Sequence, residues 1–179
     1  MQKGFTLIEL LVVIALIAVL AVAVILALNP AELLKQGRDS TRISDLANIN
    51  SALSLYLVDV ASPSMGISTN CYVQASSSAN CSSRFIGSPT TTSTASQAIN
   101  GTGWIPVDLT KISSGSPLPK YPVDPTNAGN YFYAYRPSST PGYYEINAVL
   151  ESSKYSSQAA NDGGSSSTVY EVGNDITNL

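Results

Sequence analysis

The sequence predicts an α+β chain in which a long N-terminal α-helix is followed by a small head built on an antiparallel β-sheet. Three observations predict it: an apolar run from Leu10 to Leu28, a three- and four-residue recurrence of apolar side chains after it, and alternating tyrosine-rich segments toward the C-terminus. Of the 179 residues, those beyond the apolar run suffice for one modest domain with a single core.

From Leu10 to Leu28 no side chain is charged or strongly polar. At about 1.5 Å per residue such a helix spans roughly 28 Å, enough to cross the hydrocarbon of a bilayer. Leu, Val, Ile and Ala occupy every face, so the helix has no polar side and must be surrounded by lipid or by other helices. A secretory signal peptide would have a shorter apolar run without an acid, and a plain anchor would also avoid Glu9. An ionised carboxylate within hydrocarbon costs on the order of 2.5–3.5 kcal/mol, so Glu9 requires a partner.

Composition narrows the function classes. Only 12% of residues are charged and the net charge is −3, which supplies no basic surface for sequence-independent nucleic-acid binding. There is no histidine, the commonest general base and transition-metal ligand. No cysteine lies beside a base and no carboxylate pair has a useful spacing, so the sequence points away from an enzyme.

Lys3 to Leu11 read KGFTLIELL. The segment resembles the cleavage and methylation signature of type IV pilins and type II secretion pseudopilins. The resemblance implies a pilin-like fold and a dedicated prepilin peptidase that cuts between Gly4 and Phe5 and methylates the new Phe5 amine. Glu9 would then pair with the terminal ammonium of a neighbouring subunit, so that Phe5 and Glu9 together set the axial register of a helical homopolymer. The chain divides accordingly into a leader at 1–4, a transmembrane and assembly helix at 5–29, an amphipathic helix at 30–60 and a head at 61–179. The implied partners are copies of the chain itself, the peptidase, the pilus or secretion assembly machinery and, before assembly, the lipid bilayer. The precursor is expected in the cytoplasmic (inner) membrane with its N-terminus inside, and the assembled filament outside the cell. Lys35, Arg38 and Arg42 follow the helix while Lys3 precedes it, and positive-inside counting alone would give the opposite orientation. The motif sets the expectation, because the leader must face the cytoplasm to be cut. A structural subunit, favoured as a major pilin, is the leading reading. A type II secretion pseudopilin is one alternative, and an uncut membrane-anchored binding module is another.

Asn29-Pro30 interrupts the apolar run, since proline lacks a backbone donor and disfavours helix at the residue before it. A break at Pro30 would, in the resembled family, let the packed spine stretch; the plainer alternative is that Pro30 opens a second helix. Ile43, Leu46, Leu53, Leu57 and Val60, with Asn50 in the same series, predict an amphipathic helix from about Ala31 to Val60. Glu32, Lys35, Arg38, Asp39, Arg42 and Asp45 crowd its first half and are expected to form a solvated face.

Ser62 to Thr102 is rich in Ser, Thr, Asn and Gly and is expected to be a long surface loop. Cys71 and Cys81 within it are expected to form a disulfide in an oxidising compartment, the alternative being two buried thiols. Asn80-Cys81-Ser82 and Asn100-Gly101-Thr102 match the N-glycosylation pattern. Asn130 to Tyr135, Tyr143 to Leu150 and Thr168 to Val172 read as strands of a three- or four-stranded antiparallel sheet, with Pro137 to Gly142 as a hairpin connection. The tyrosines at 131, 133, 135, 143 and 144 are expected to pack in the core or between subunits, the sheet and the Ser/Thr loop forming the filament's outer wall. Leu118 to Pro125 resembles the segment before the sheet hairpin of major pseudopilins, where calcium is often held. That resemblance makes Asp124, Asp162 and Asp175 calcium candidates; no other cofactor is expected.

Overall fold

The structure, a computed structural model, describes residues 4–74 and 79–179, and for 26–28 the backbone alone. It divides into two compact units, Met1–Lys35 and Gln36–Leu179, each described by itself. The first carries helix α1, Leu7–Leu28, whose last turn ends at Asn29 in the left-handed conformation (φ 42°). Pro30 is the first residue of the second helix, α2, Pro30–Asp59, a position where its missing N–H costs nothing.

The second unit is α+β, as the sequence predicts. It holds the rest of α2 and five strands: β1 (Asn70–Gln74), β2 (Thr90–Thr94), β3 (Ala134–Pro137), β4 (Tyr144–Ala148) and β5 (Tyr170–Gly173). Their order is β2-β1-β3-β4-β5, antiparallel except for the parallel pair β1/β2. The sheet therefore exceeds the three or four strands expected. Both additional strands lie in the Ser/Thr-rich stretch between Ser62 and Thr102, whose polar composition reads as loop. Only the fully buried Cys71 and Val73 and the nearly buried Tyr72 mark β1 as an interior strand. The tyrosine-rich strand begins later than expected, at Ala134: Ala128 and Tyr131 bridge each other in a turn, and the carbonyls of Asn130 and Phe132 accept from Arg84 instead of a neighbouring strand.

Alternation across the sheet makes two buried faces. On one, Tyr72, Tyr135, Tyr144, Ile146 and Ala148 join the core that α2 covers. On the other, Cys71, Val73 and Ala134 pack with Cys81, Phe85 and Phe132, and the Cys71–Cys81 disulfide belongs to this layer. The buried seam of α2 runs Asp39, Arg42, Leu46, Ile49, Leu53, Tyr56, with Ala52 beside it. Ile43, Asn50, Leu57 and Val60, placed on that seam from the sequence, are only half buried. The seam is rotated toward Ile49 and Tyr56, both fully buried in the aromatic core.

Six buried or nearly buried tyrosines and Trp104 dominate that core, and their polar tips are satisfied. Trp104 Nε1 donates to Pro122 O (3.1 Å), Tyr121 Oη to Val107 O (3.0 Å), Tyr135 Oη to Met65 O (2.8 Å) and Tyr144 Oη to Asn50 O (3.1 Å). Tyr135 on β3 and Tyr144 on β4 pack in the core, as expected of them, while Tyr143 just before β4 is exposed.

Leu53 is fully buried, whereas Leu55 on the outer side of the same turn is 38% exposed. Leu53→Ala should therefore lower the unfolding free energy by about 2–5 kcal/mol. Leu55→Ala should change it by no more than about 0.5 kcal/mol. Denaturant titration followed by tryptophan fluorescence reads both.

Candidate functional site

The N-terminal segment is built around a reciprocal cap. Thr6 is the N-cap of α1 and Glu9 its third residue: Glu9 N donates to Thr6 Oγ1 (3.3 Å), and Thr6 N donates back to Glu9 Oε2 (2.9 Å). Thr6 Oγ1 also donates to Glu9 Oε2 (2.6 Å), so both bonds to the carboxylate converge on one oxygen. Phe5, one residue before the cap, is 79% exposed, and Gly4 has no heavy atom near the place a Cβ would take. The peptide bond between them lies in exposed, non-helical chain just ahead of the helix. Leu7–Ile25 is long and apolar enough to cross a membrane, and none of it is buried within the structure. Phe5, Ile8, Glu9, Val12 and Val13 line an open hollow of about 340 Å³.

In the second unit the charges of α2 do not form the solvated face expected of them. Arg42 is fully buried and meets five acceptor atoms, matching the five N–H donors of a guanidinium. Nε and Nη2 bind both oxygens of Asp124 (2.6 and 2.9 Å), and Nη2 also reaches Thr126 Oγ1 (3.1 Å). Nη1 binds Asp39 Oδ1 (2.8 Å) and Glu151 Oε1 (2.6 Å). The Tyr131 ring lies 5.0 Å from the guanidinium carbon and closes the cage. Arg38 grips Glu151 bidentately (2.9 and 2.5 Å), while Asp39 accepts from the backbone of Glu151 (3.0 Å) and Ser152 (2.7 Å). Bonds from Arg38, then from Arg42, hold the Glu151 carboxyl down at about 2. Burial works against the charge on Arg42, yet the bonds to Asp124, Asp39 and Glu151 outweigh it and raise the guanidinium above its ordinary value.

The three calcium candidates are not brought together. Asp124 is a carboxylate of the Arg42 cage. Asp162 accepts from Gly164 N (2.8 Å) and Glu171 N (2.7 Å), and Asp175 from Asn178 Nδ2 (2.6 Å). Among the described residues no cluster of three or more His, Cys, Asp or Glu side chains is placed to hold a metal ion. The Asp-Pro turn instead supplies a counter-charge for α2.

Glu151 and Glu145 were missed in the sequence. Glu151 follows an apolar strand with nothing to mark it. Asp39 and Arg42 did carry a signal, since they extend the Leu46, Ile49, Leu53, Tyr56 spacing two turns toward the N-terminus. Glu145 lies on the far face of β4, fully buried; its Oε1 accepts from Asn147 Nδ2 (2.8 Å), and its Oε2 has no partner among the described residues. Burial raises its carboxyl to about 8, with Glu171 on β5 pushing the same way.

Arg42→Ala should cost about 3–5 kcal/mol, because it leaves buried carboxylates uncompensated. Thermal unfolding of the full chain in detergent measures it. For Glu145 the folded chain keeps a proton that the unfolded chain releases above about 4.5, so stability should fall as pH rises from about 4.5 to about 8. Glu145→Gln should flatten that slope, and melting temperatures across the window read it.

Residues 1–25 match the family model for the prokaryotic N-terminal methylation motif. No curated protein and no solved structure matches the chain.

Proposed function

We propose that this precursor, which carries the type IV pilin and pseudopilin signal, is cut between Gly4 and Phe5 and polymerises into an extracellular filament. The observation that carries the reading is Glu9, the one acid in a helix otherwise apolar on every side, four residues beyond Phe5. Among the described residues that carboxylate is bonded by its own cap residue, Thr6. In a bundle of α1 helices the ammonium of a neighbour's Phe5 offers a full counter-charge, and the pairing is satisfied only when two subunits are staggered by the spacing of those residues. The exposed apolar surface of α1 supports the same reading, since a helix without a polar face requires lipid or other helices around it.

In this reading the leader faces the cytoplasm, the prepilin peptidase cuts and methylates, and assembly machinery in the membrane extracts the subunit. Copies of the chain then form a spine of α1 helices with the heads outside. The role is structural and not catalytic. The disulfide-closed, hydroxyl-rich segment between Ser62 and Thr102 favours a major pilin, because such elaboration suits a surface exposed to the medium. The break at Asn29-Pro30 is a place where the spine can lengthen under tension.

The mature protein should begin at a methylated Phe5 by mass spectrometry of its N-terminus, and sheared cell-surface material should contain thin fibres made of it. Glu9→Ala should leave cleavage intact and abolish fibres in electron micrographs. Fibres of normal abundance from Glu9→Ala, or a mature chain that keeps residues 1–4, would overturn the proposal.

A further inference from the structure

Two Asn-X-Ser/Thr patterns occur in the head, and the structure treats them differently. Asn80-Cys81-Ser82 is locked: Asn80 Oδ1 accepts from Ser82 N (3.0 Å), Ser82 Oγ (2.9 Å) and Thr91 Oγ1 (2.8 Å). Its middle residue, Cys81, is fully buried and disulfide-bonded to Cys71. Asn80 itself is exposed, but an enzyme that must draw all three residues into its own cleft would have to pull Cys81 out of the second layer of the core.

Asn100-Gly101-Thr102 is presented at a loop tip. Asn100 and Thr102 are both exposed, and the chain reverses at Gly101, whose φ of 84° suits a residue without a Cβ. The chain on either side of the turn is pinned by a bond from Leu109 N to Ile99 O (2.7 Å), by the Asn100–Asp108 bridge and by the buried Trp104 and Ile105 that follow it. Thr102 Oγ1 donates to Asn100 Oδ1 (2.7 Å), as does Thr102 N (3.3 Å), while the Asn100 amide nitrogen has no acceptor among the described residues. The same pair of bonds forms at Asn80, so what separates the two sites is the middle residue: a half-buried Gly101 here, a fully buried and disulfide-bonded Cys81 there.

We propose that Asn100 is an N-glycosylation site whose donor is an oligosaccharide carried on a polyprenyl diphosphate. The Asn100 Nδ2 attacks the anomeric carbon of the first sugar. A C–N bond forms, the C–O bond to the diphosphate breaks with its electron pair, the nitrogen loses one proton to the transferase, and nothing is oxidised or reduced. Thr102 is the recognition residue: its hydroxyl positions the amide, and a residue without that hydroxyl does not serve. The inference rests on the reading that places the head outside the cytoplasm, where such transferases act.

Peptide mass spectrometry of the full chain recovered from its own cells tests it, with a membrane-impermeant amine reagent applied beforehand to spheroplasts so that the exposed Lys111 reports the side on which the head lies. The Asn100 peptide should carry a glycan mass, the Asn80 peptide none, and Lys111 should be labelled. T102A should abolish the modification and T102S retain it; neither touches the core, so folding does not confound the comparison. A labelled Lys111 with an unmodified Asn100 peptide overturns this inference and leaves the filament reading standing. An unlabelled Lys111 overturns both, and a glycan on Asn80 instead of Asn100 overturns the inference alone.

Discussion

The head depends on one buried cation. Moving a guanidinium out of water is expensive, and the cost is offset only when every donor finds a well-placed acceptor. Arg42 meets that condition with Asp39, Asp124, Thr126 and Glu151 drawn from three separate stretches of chain. Apolar packing alone would tolerate small rotations or slips of α2 over the sheet. The cage does not, because a shift of one residue turns Arg42 by about 100° away from its carboxylates. With Arg42 held, Leu46, Ile49, Leu53 and Tyr56 on the following turns are aimed into the aromatic core.

That core repeats the same logic with neutral groups. Tyrosine brings large apolar area at the cost of a hydroxyl that must be satisfied once buried. Here several hydroxyls find backbone carbonyls of the connecting segments, Met65 between α2 and β1 and Val107 between β2 and β3. The long connections, poor in apolar residues, are thereby fastened to the sheet at particular points. Glu145 is an exception: among the described residues its second carboxyl oxygen is buried without a partner, and burial keeps the group protonated into the neutral range.

The N-terminal unit obeys a different constraint. Residues 7–25 expose apolar side chains on every side and form no core of their own, so the stability of that helix in isolation comes from backbone bonding and the Thr6–Glu9 cap. The division between the units falls at Lys35, inside α2 and just before the Arg38, Asp39 and Arg42 ladder begins to hold the helix to the head. One part of the chain is thus finished as a fold, while the other is chemically incomplete without surroundings.

By itself the sequence determined the α+β class, the long apolar helix, the interruption at Asn29-Pro30, the second helix and the processing motif, because each depends on local periodicity, on proline geometry or on a contiguous string of residues. The Asn29 left-handed turn and Pro30 at the start of α2 needed no tertiary information. Tertiary structure alone decided which charges are buried, since Arg42 and Asp124 are far apart in sequence and nothing local pairs them. It also decided that Thr-rich β2 is a strand, because that segment has no apolar alternation and acquires its pairing only from β1 beside it. Long-range contact is the common cause: where a residue's partner lies in another element, composition reads as polar surface and only the fold reveals it as interior.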